Sequence, residues 1–261
     1  KLEEALQRLM QEDPSFRSRI DTETGQNIIS GMGELHLEIM VDRLQREFRV
    51  DCKAGTPRVA YRETITQAAV SETKFEQPLD GKEQFAFCRI SLEPLEAGGG
   101  FEFENKLSAD ELPEIFAEAV EQGIQGAMSN GVLAGFAMID LKATLVAADY
   151  LEELSTEVAF SIAGINVLRA GIQKAKPTLL EPSMKIEVVT PVSFTGEVIG
   201  DLNARHGRIR GMEEQGGIQV ISAEAPLAEM FGYSTRLRSR TQGRTSFTMH
   251  FSHYSSVTEL I

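Results

Sequence analysis

The sequence predicts an α+β protein built as three domains. Helix-period and strand-period runs alternate along all 261 residues. The last third reads strand-helix-strand-strand-helix-strand, and the first third repeats that order without its leading strand. With 42% hydrophobic and 25% charged residues, the chain can bury real cores, which excludes disordered and fibrous classes.

The elements follow in order. Leu2, Ala5, Leu6, Leu9 and Met10 recur at helical spacing until Asp13-Pro14 halts the run. Residues 16–20 and 26–30 read as two strands joined by the polar turn Asp21-Thr22-Glu23-Thr24-Gly25. After Gly31-Met32-Gly33, a second helix carries the stripe Leu37, Met40, Val41, Leu44 and Phe48, and residues 50–53 close as a strand before Gly55 and Pro57. A two-layer sandwich lacking its leading strand would expose apolar surface and unpaired backbone, so the expectation is a chain that continues upstream of Lys1.

Residues 66–180 read as a separate unit. Strand-like runs at 86–93 and 138–146 flank a helix over 113–128. A second long helix, with Val158, Ile162, Leu168 and Ile172 as its stripe, ends at Lys176-Pro177, and Glu181-Pro182 marks the boundary to the last domain. There residues 185–190 form a strand, 195–205 a helix with Val198, Ile199 and Leu202 inward, and 209–213 with 219–224 a hairpin across Gln215-Gly216-Gly217. Pro226 opens a helix carrying Leu227, Met230, Phe231 and Leu237, and 244–253 alternate as a final strand. This is the split βαβ, or ferredoxin-like, plan.

The 26 Lys and Arg stand against 39 Asp and Glu, a formal charge of −13, which argues against a polyanion binder steered by bulk charge. By region the balance is uneven. Residues 1–64 carry 10 basic and 12 acidic residues, 65–180 carry 8 and 18, and 181–261 carry 8 and 9. The last region also clusters its arginines, Arg205, Arg208 and Arg210 in one stretch and Arg236, Arg238, Arg240 and Arg244 in another. Two such clusters on adjacent elements can form a phosphate-facing patch, although a solvated, ion-paired face is the commoner outcome for a charge run.

No enzyme chemistry is evident. Cys52 and Cys88 make no disulfide framework and have no metal-ligand spacing, which fits a reducing, cytoplasmic setting. The longest apolar stretch, 131–139, is far short of a bilayer span. There is no Gly-x-x-x-x-Gly-Lys-Ser/Thr loop, and Gly98-Gly99-Gly100 lacks the lysine that would follow. Gly31-Met32-Gly33 opens like a dinucleotide fingerprint, but His36 stands in place of the third glycine, so a tight turn is the better reading. His36 itself reads as structural, and His206, His250 and His253 compose no triad or metal set. Glu83, Glu152 and Glu153 are candidate paired carboxylates without a nucleophile nearby. No catalytic residue and no metal ligand is predicted.

The run Ser30-Gly31-Met32-Gly33-Glu34-Leu35-His36-Leu37-Glu38-Ile39, followed by Val41-Asp42-Arg43-Leu44, resembles elongation factor G, the translocation GTPase of the ribosome. The resemblance extends through Thr24-Gly25-Gln26 and Tyr61-Arg62-Glu63-Thr64. It resumes at Leu180-Glu181-Pro182, Gly200-Asp201-Leu202-Asn203-Ala204-Arg205, Pro226-Leu227-Ala228-Glu229-Met230-Phe231-Gly232-Tyr233, Leu237-Arg238-Ser239 and Thr241-Gln242-Gly243-Arg244. It implies the family's third, fourth and fifth domains, at 1–65, 66–180 and 181–261, the fourth with a left-handed βαβ crossover like that of a ribosomal protein. A C-terminal segment of the fifth is expected to pack back on the fourth. The GTPase domain, with its GTP and Mg, then belongs upstream, and this chain holds no cofactor.

The resemblance also implies partners. The ribosome comes first, with transfer RNA and messenger RNA at the small-subunit decoding site facing the fourth domain. The sarcin-ricin loop and stalk base of the large subunit face the fifth. The protein would act as a monomer away from membranes. The RNA-facing role maps onto Arg205, Arg208, Arg238, Ser239, Gln242 and Arg244, and the decoding-site tip onto Gly81, Lys82, Gln84, Asp149, Tyr150 and Leu151.

Both tip loops depart from the family pattern. One, usually Gly-Gly-Arg-Gly-Gln-Tyr-Gly, is replaced near Pro78-Leu79-Asp80-Gly81-Lys82-Glu83-Gln84-Phe85-Ala86. The other, usually Asp-Gly-Ser-Tyr-His, aligns with Ala147-Ala148-Asp149-Tyr150-Leu151 and keeps only the tyrosine. Asp149, Glu152 and Glu153 add charge that phosphate repels. The departures fit a divergent copy specialised in ribosome recycling, or drift with translocation retained. Alternatives are a ribosomal-protection factor and, from another class, a free-standing metabolic or small-molecule-binding ferredoxin-like protein.

Overall fold

The structure, a computed structural model, describes residues 1–20, 27–32, 34–55, 59–79 and 81–257. The turn expected at 21–25, the Thr24-Gly25-Gln26 motif, Gly33, Pro57 and Asp80 lie outside the described residues. Two units emerge: Lys1–Arg58 with Ile186–Met249, and Val59–Lys185 with His250–Ile261.

In the first unit, α1 (Leu2–Glu12) turns Ala5, Leu6 and Leu9 inward and stops where Asp13 goes extended ahead of Pro14. β1 (Arg17–Ile20) and β2 (Asn27–Ser30) pair antiparallel, Arg17 opposite Ser30. α2 (Glu34–Arg46) brings Met40 and Leu44 into a cluster with Leu6, Leu9 and Phe16. His36 is structural, as its place suggested. Its Nδ1 accepts the Met32 N–H at 3.1 Å, and its Nε2 stands 2.9 Å from Asp13 Oδ2. Residues 50–53 are not the expected strand. Val50 is buried in the cluster, but no described strand pairs with this segment, and an unladdered strand has nothing to hold it extended.

The second unit begins with β3 (Arg62–Ile65). β4 (Ala69–Leu79) and β5 (Lys82–Pro94) form a hairpin whose ladder closes at Leu79 opposite Lys82, with Gly81 at φ +78 supplying the left-handed turn residue. β6 (Phe101–Asn105), α3 (Glu114–Ser129) and β7 (Leu141–Asp149) make a βαβ crossover with β6 parallel to β7, giving the sheet order β4-β5-β7-β6. α4 (Glu157–Lys174) covers β4 and β5. Ser71 Oγ, from the sheet, donates to Val167 O at 2.8 Å. Phe116 stacks on Phe160 at 4.7 Å and Val120 lies against Gly164, the same offset each time, so α3 and α4 run in the same direction. They touch at glycines: a Cβ on Gly164 would sit 2.5 Å from Val120 O, and one on Gly123 would overlap the Ser161 carbonyl. The core between helices and sheet includes Ile90, Leu92, Val120, Ile124, Leu141, Leu145 and Leu168.

A buried carboxylate organises the entry to β7. Glu63 is wholly inaccessible to solvent and accepts the N–H groups of Val132 (2.7 Å), Leu133 (2.8 Å), Ala134 (2.7 Å) and Phe136 (3.0 Å). Burial alone would raise its pKa. The four backbone donors outweigh that and hold it below the usual carboxylate value. Gly131, at φ +60, permits the close approach, since a Cβ there would meet Glu63 Oε1 at 2.7 Å. Asp140 does the same for the glycine triplet, its Oδ1 accepting from Gly98 N–H (3.1 Å) and Gly100 N–H (2.9 Å). The anion these glycines cradle is internal.

β8 (Pro177–Pro191) runs unbroken through Glu181-Pro182, the boundary expected from sequence. Its first residues pair with β3, Leu180 opposite Arg62, and Pro182 falls just past that ladder. α5 (Thr195–Ala204), β9 (Arg208–Gln215), β10 (Ile218–Pro226) and α6 (Tyr233–Arg240) lie in the first unit, and with β11 (Ser246–Ser256), whose residues from His250 on are counted with the second, they give the sheet order β11-β8-β10-β9. That is the ferredoxin-like arrangement, with the first and third strands central. The β9–β10 turn uses Gly216 and Gly217, both left-handed, as the hairpin signature required. The helix expected from Pro226 is split. Leu227–Met230 is a 3-10 turn, and Gly232 at φ +72 separates it from α6.

Glu63→Gln keeps the shape but presents an amide N–H₂ to backbone donors, so urea unfolding at neutral pH should show a loss of about 2 kcal/mol. In the parent chain the contribution of Glu63 is complete above the unfolded-state pKa and disappears as pH falls through the lower folded-state value. The difference between parent and variant should therefore shrink on acidification. A difference independent of pH would contradict this account.

Candidate nucleic-acid interface

The arginine clusters do not form one patch. Arg205, read as RNA-facing, is buried. Its Nε donates to Asp201 Oδ2 at 3.1 Å, one terminal nitrogen donates to Glu229 O and to Phe231 O (3.1 Å), and its guanidinium lies 5.2 Å from the Tyr233 ring centre. With those donors turned inward, it is a tie between α5 and the segment leading into α6, not a phosphate contact. Asp201, itself 2% exposed, also lies 3.0 Å from Arg236 Nε and 3.9 Å from Arg240. Arg210 is drawn to Glu224, with Nε at 2.8 Å.

Arg208, Arg238, Ser239, Gln242 and Arg244 remain exposed. Four of these five gather at the C-terminal end of α6, where the chain turns sharply. Thr241 is buried, its hydroxyl donating to Leu237 O at 2.7 Å, and Gly243 N–H donates to Arg238 O at 2.9 Å. Gln242 (φ +54) and Gly243 (φ +73) are both left-handed, which swings Arg244 back beside the helix end. The last-turn carbonyls of a helix favour cations, so the cap is a natural seat for exposed guanidinium groups. Asp201 was missed as an organiser in the sequence, although Asp201 and Arg205 stand four apart on a helix, the spacing that signals an ion pair.

In the second unit the two loops at the far end of the sheet meet. Gln84, expected to face outward, is buried, its Oε1 accepting from the Thr156 hydroxyl and its Nε2 donating to Glu83 O at 3.2 Å. Its carbonyl oxygen holds the cap of α4 and its amide nitrogen turns back to β5. Phe85 N–H donates to Leu154 O (2.8 Å), and Ser155 Oγ donates to Phe85 O (2.7 Å). Tyr150 is half-buried, its ring 5.8 Å from that of Phe116. Gly81, Lys82, Asp149 and Leu151 are exposed. The docking of residues 151–156 was not foreseen; the signal was Thr156, a cap residue directly before the helical pattern. Cys88 is buried, which pushes its thiol up to about 12 and makes it inert. No helix among the described residues is long and apolar enough to cross a membrane.

Comparison with known proteins divides the chain into three consecutive matches. Residues 1–56 match the family model described as elongation factor G, domain III; residues 57–176 match elongation factor G, domain IV; and residues 178–261 match the elongation factor G C-terminus. A crystal structure of a protein from Thermus thermophilus superposes with a TM-score of 0.84 at 38% identity over 99% of this chain. The chain spans 38% of that protein.

Removing the Arg205 side chain takes from Asp201 its one buried cation, leaving only the exposed Arg236 and Arg240, and frees the Glu229 and Phe231 carbonyls, so Arg205→Ala should lower stability by about 3 kcal/mol in urea melts. Arg238→Ala should stay within about 0.5 kcal/mol of the parent, as exposed substitutions do. Equal losses would mean that Arg205 is not the inward tie described.

Proposed function

The chain belongs to the elongation factor G family, and from that premise we propose that it is the ribosome-binding C-terminal portion of a cytoplasmic translocation GTPase, docking through its 181–261 domain on folded ribosomal RNA. The observation that carries the reading is the exposed cap of Arg238, Ser239, Gln242 and Arg244 at the end of α6, beside arginines that Asp201 already engages. Guanidinium forks grip phosphate bidentately, and a hydroxyl or amide reaches the 2′-OH or a base edge. By family resemblance the RNA is the sarcin-ricin loop with the stalk base. GTP and Mg belong to a GTPase domain of the parent protein, and the 66–180 domain faces transfer RNA and messenger RNA at the decoding site.

A second reading, a member specialised in ribosome recycling, is favoured by one feature: the end of β7 and the loop after it present Asp149, Glu152 and Glu153 where a phosphate-lined site would repel them. With full-length protein, subunit splitting in the presence of recycling factor should then exceed GTP-driven messenger RNA movement. Movement at the rate of a standard factor would remove this reading.

The docking surface is tested separately. Arg238→Ala with Arg244→Ala should weaken co-sedimentation with ribosomes and reduce the salt slope by about two ions. An unchanged slope would show that these side chains do not meet phosphate.

A further inference from the structure

We propose that the surface formed by Leu151, Leu154 and Val158 docks a basic amphipathic segment of a protein partner. These residues are 48%, 36% and 59% exposed. Val158 was expected on the inner stripe of α4, but the helix buries Ala159, Phe160 and Ala163 instead and leaves Val158 outside. Single exposed apolar residues are ordinary. Leu151 and Leu154 stand on the turn and Val158 in the first turn of α4, three exposed apolar side chains within eight positions.

The patch stands on a fixed base. Leu154 N–H and Ser155 N–H both donate to Leu151 O, at 3.0 and 2.8 Å, so residues 151–155 form a closed turn leading straight into α4. The turn is tied to β5 through Phe85 and to α4 through the Thr156 cap. A surface ordered before binding loses little entropy when a partner arrives.

Its rim is acidic and uncompensated. Asp149, Glu152, Glu153 and Glu157 are exposed, and none has an ion-pair partner among the described residues. Elsewhere on the same sheet carboxylates are paired, Glu72 with Arg89 at 2.6 Å and Glu104 with Lys142 at 2.8 Å. Across both loops, residues 78–86 and 147–157, Lys82 is the only basic residue in the sequence. Nucleic acid and anionic lipid would meet this rim with like charge and offer nothing to the leucines. A helix with Leu or Met on one face and Lys or Arg beside it satisfies both parts at once. The proposal does not depend on RNA docking by the other unit, and within the 66–180 domain it assigns this one turn to protein, leaving the remainder of that domain to face RNA.

The probe is a fluorescein-labelled helical peptide of Leu and Lys in amphipathic order, titrated with the purified full chain and followed by anisotropy. A Leu and Glu peptide and a single-stranded RNA serve as comparisons. The Leu/Lys peptide should bind and the other two should not depend on this surface. Leu151→Ser with Leu154→Ser, and separately Glu152→Lys with Glu153→Lys, should each weaken the peptide at least about tenfold, whereas Met212→Ser, an exposed apolar site in the other unit, should not. Absence of peptide binding overturns the proposal. So does binding that neither double variant weakens, or that only the charge reversal weakens. RNA binding lost in the Leu151→Ser, Leu154→Ser variant would assign the surface to nucleic acid instead.

Discussion

The second unit depends on one buried anion. Among the described residues Glu63 has no counter-charge; four backbone N–H groups of the loop before β7 satisfy it. An isolated carboxylate in the interior is costly, and that cost is met only if the loop takes one conformation. The consequences run outward. Glu63 N–H donates to Ala137 O at 3.1 Å and Ile139 N–H donates to Glu63 O at 2.9 Å, so the chain leaves the loop already in register. Asp140 then cradles Gly98 and Gly100, and Leu141 N–H donates to Gly100 O at 3.0 Å. β6 and β7 thus start level, and the far end of β7, which carries Asp149 and the turn behind it, is set by contacts at the near end.

In the first unit Asp201 solves a related problem by other means. Also buried, it gathers guanidinium groups from its own helix and from α6. Where Glu63 fixes a loop through backbone dipoles, Asp201 fixes the pitch of an arginine-bearing helix through side chains. The functional effect is selection: of seven arginines in this region, the carboxylates of Asp201 and Glu224 engage four, and those left exposed without an ion pair among the described residues are Arg208, Arg238 and Arg244. Counting arginines in a sequence overstates the cationic surface for this reason.

What was legible in the sequence follows the same division between local and distant causes. Helices α1 to α5 and the Gly216-Gly217 hairpin rest on periodicity and turn chemistry, and all were readable. β4 and β6 were not. β4 buries only Ser71 and Phe75, so its alternation is mostly polar, and β6 is a short edge strand with glutamates between its phenylalanines. Residues 50–53 erred in the opposite sense, a strand-like pattern without a ladder. Among site residues the family motifs located Arg238, Ser239, Gln242 and Arg244, which are exposed, but could not show that Arg205 and Gln84 face inward. Their partners, Glu229 and Phe231 for one and Thr156 for the other, come from segments that only the fold brings near.

Net charge therefore says little about partners until the paired charges are removed. The −13 of the chain carries little weight at the end of α6, because the Debye length in physiological salt is about 8 Å and a phosphate brought there would sense only its neighbourhood. What it would meet there is arginine that has no ion pair among the described residues. From the end of β7 to the start of α4 a phosphate would meet four exposed carboxylates, Asp149, Glu152, Glu153 and Glu157, unpaired among the described residues, with Leu151 and Leu154 between them. One chain can thus present opposite signs of local charge on two of its surfaces. Rejection of a wrong class of partner is as much a source of specificity as attraction of the right one.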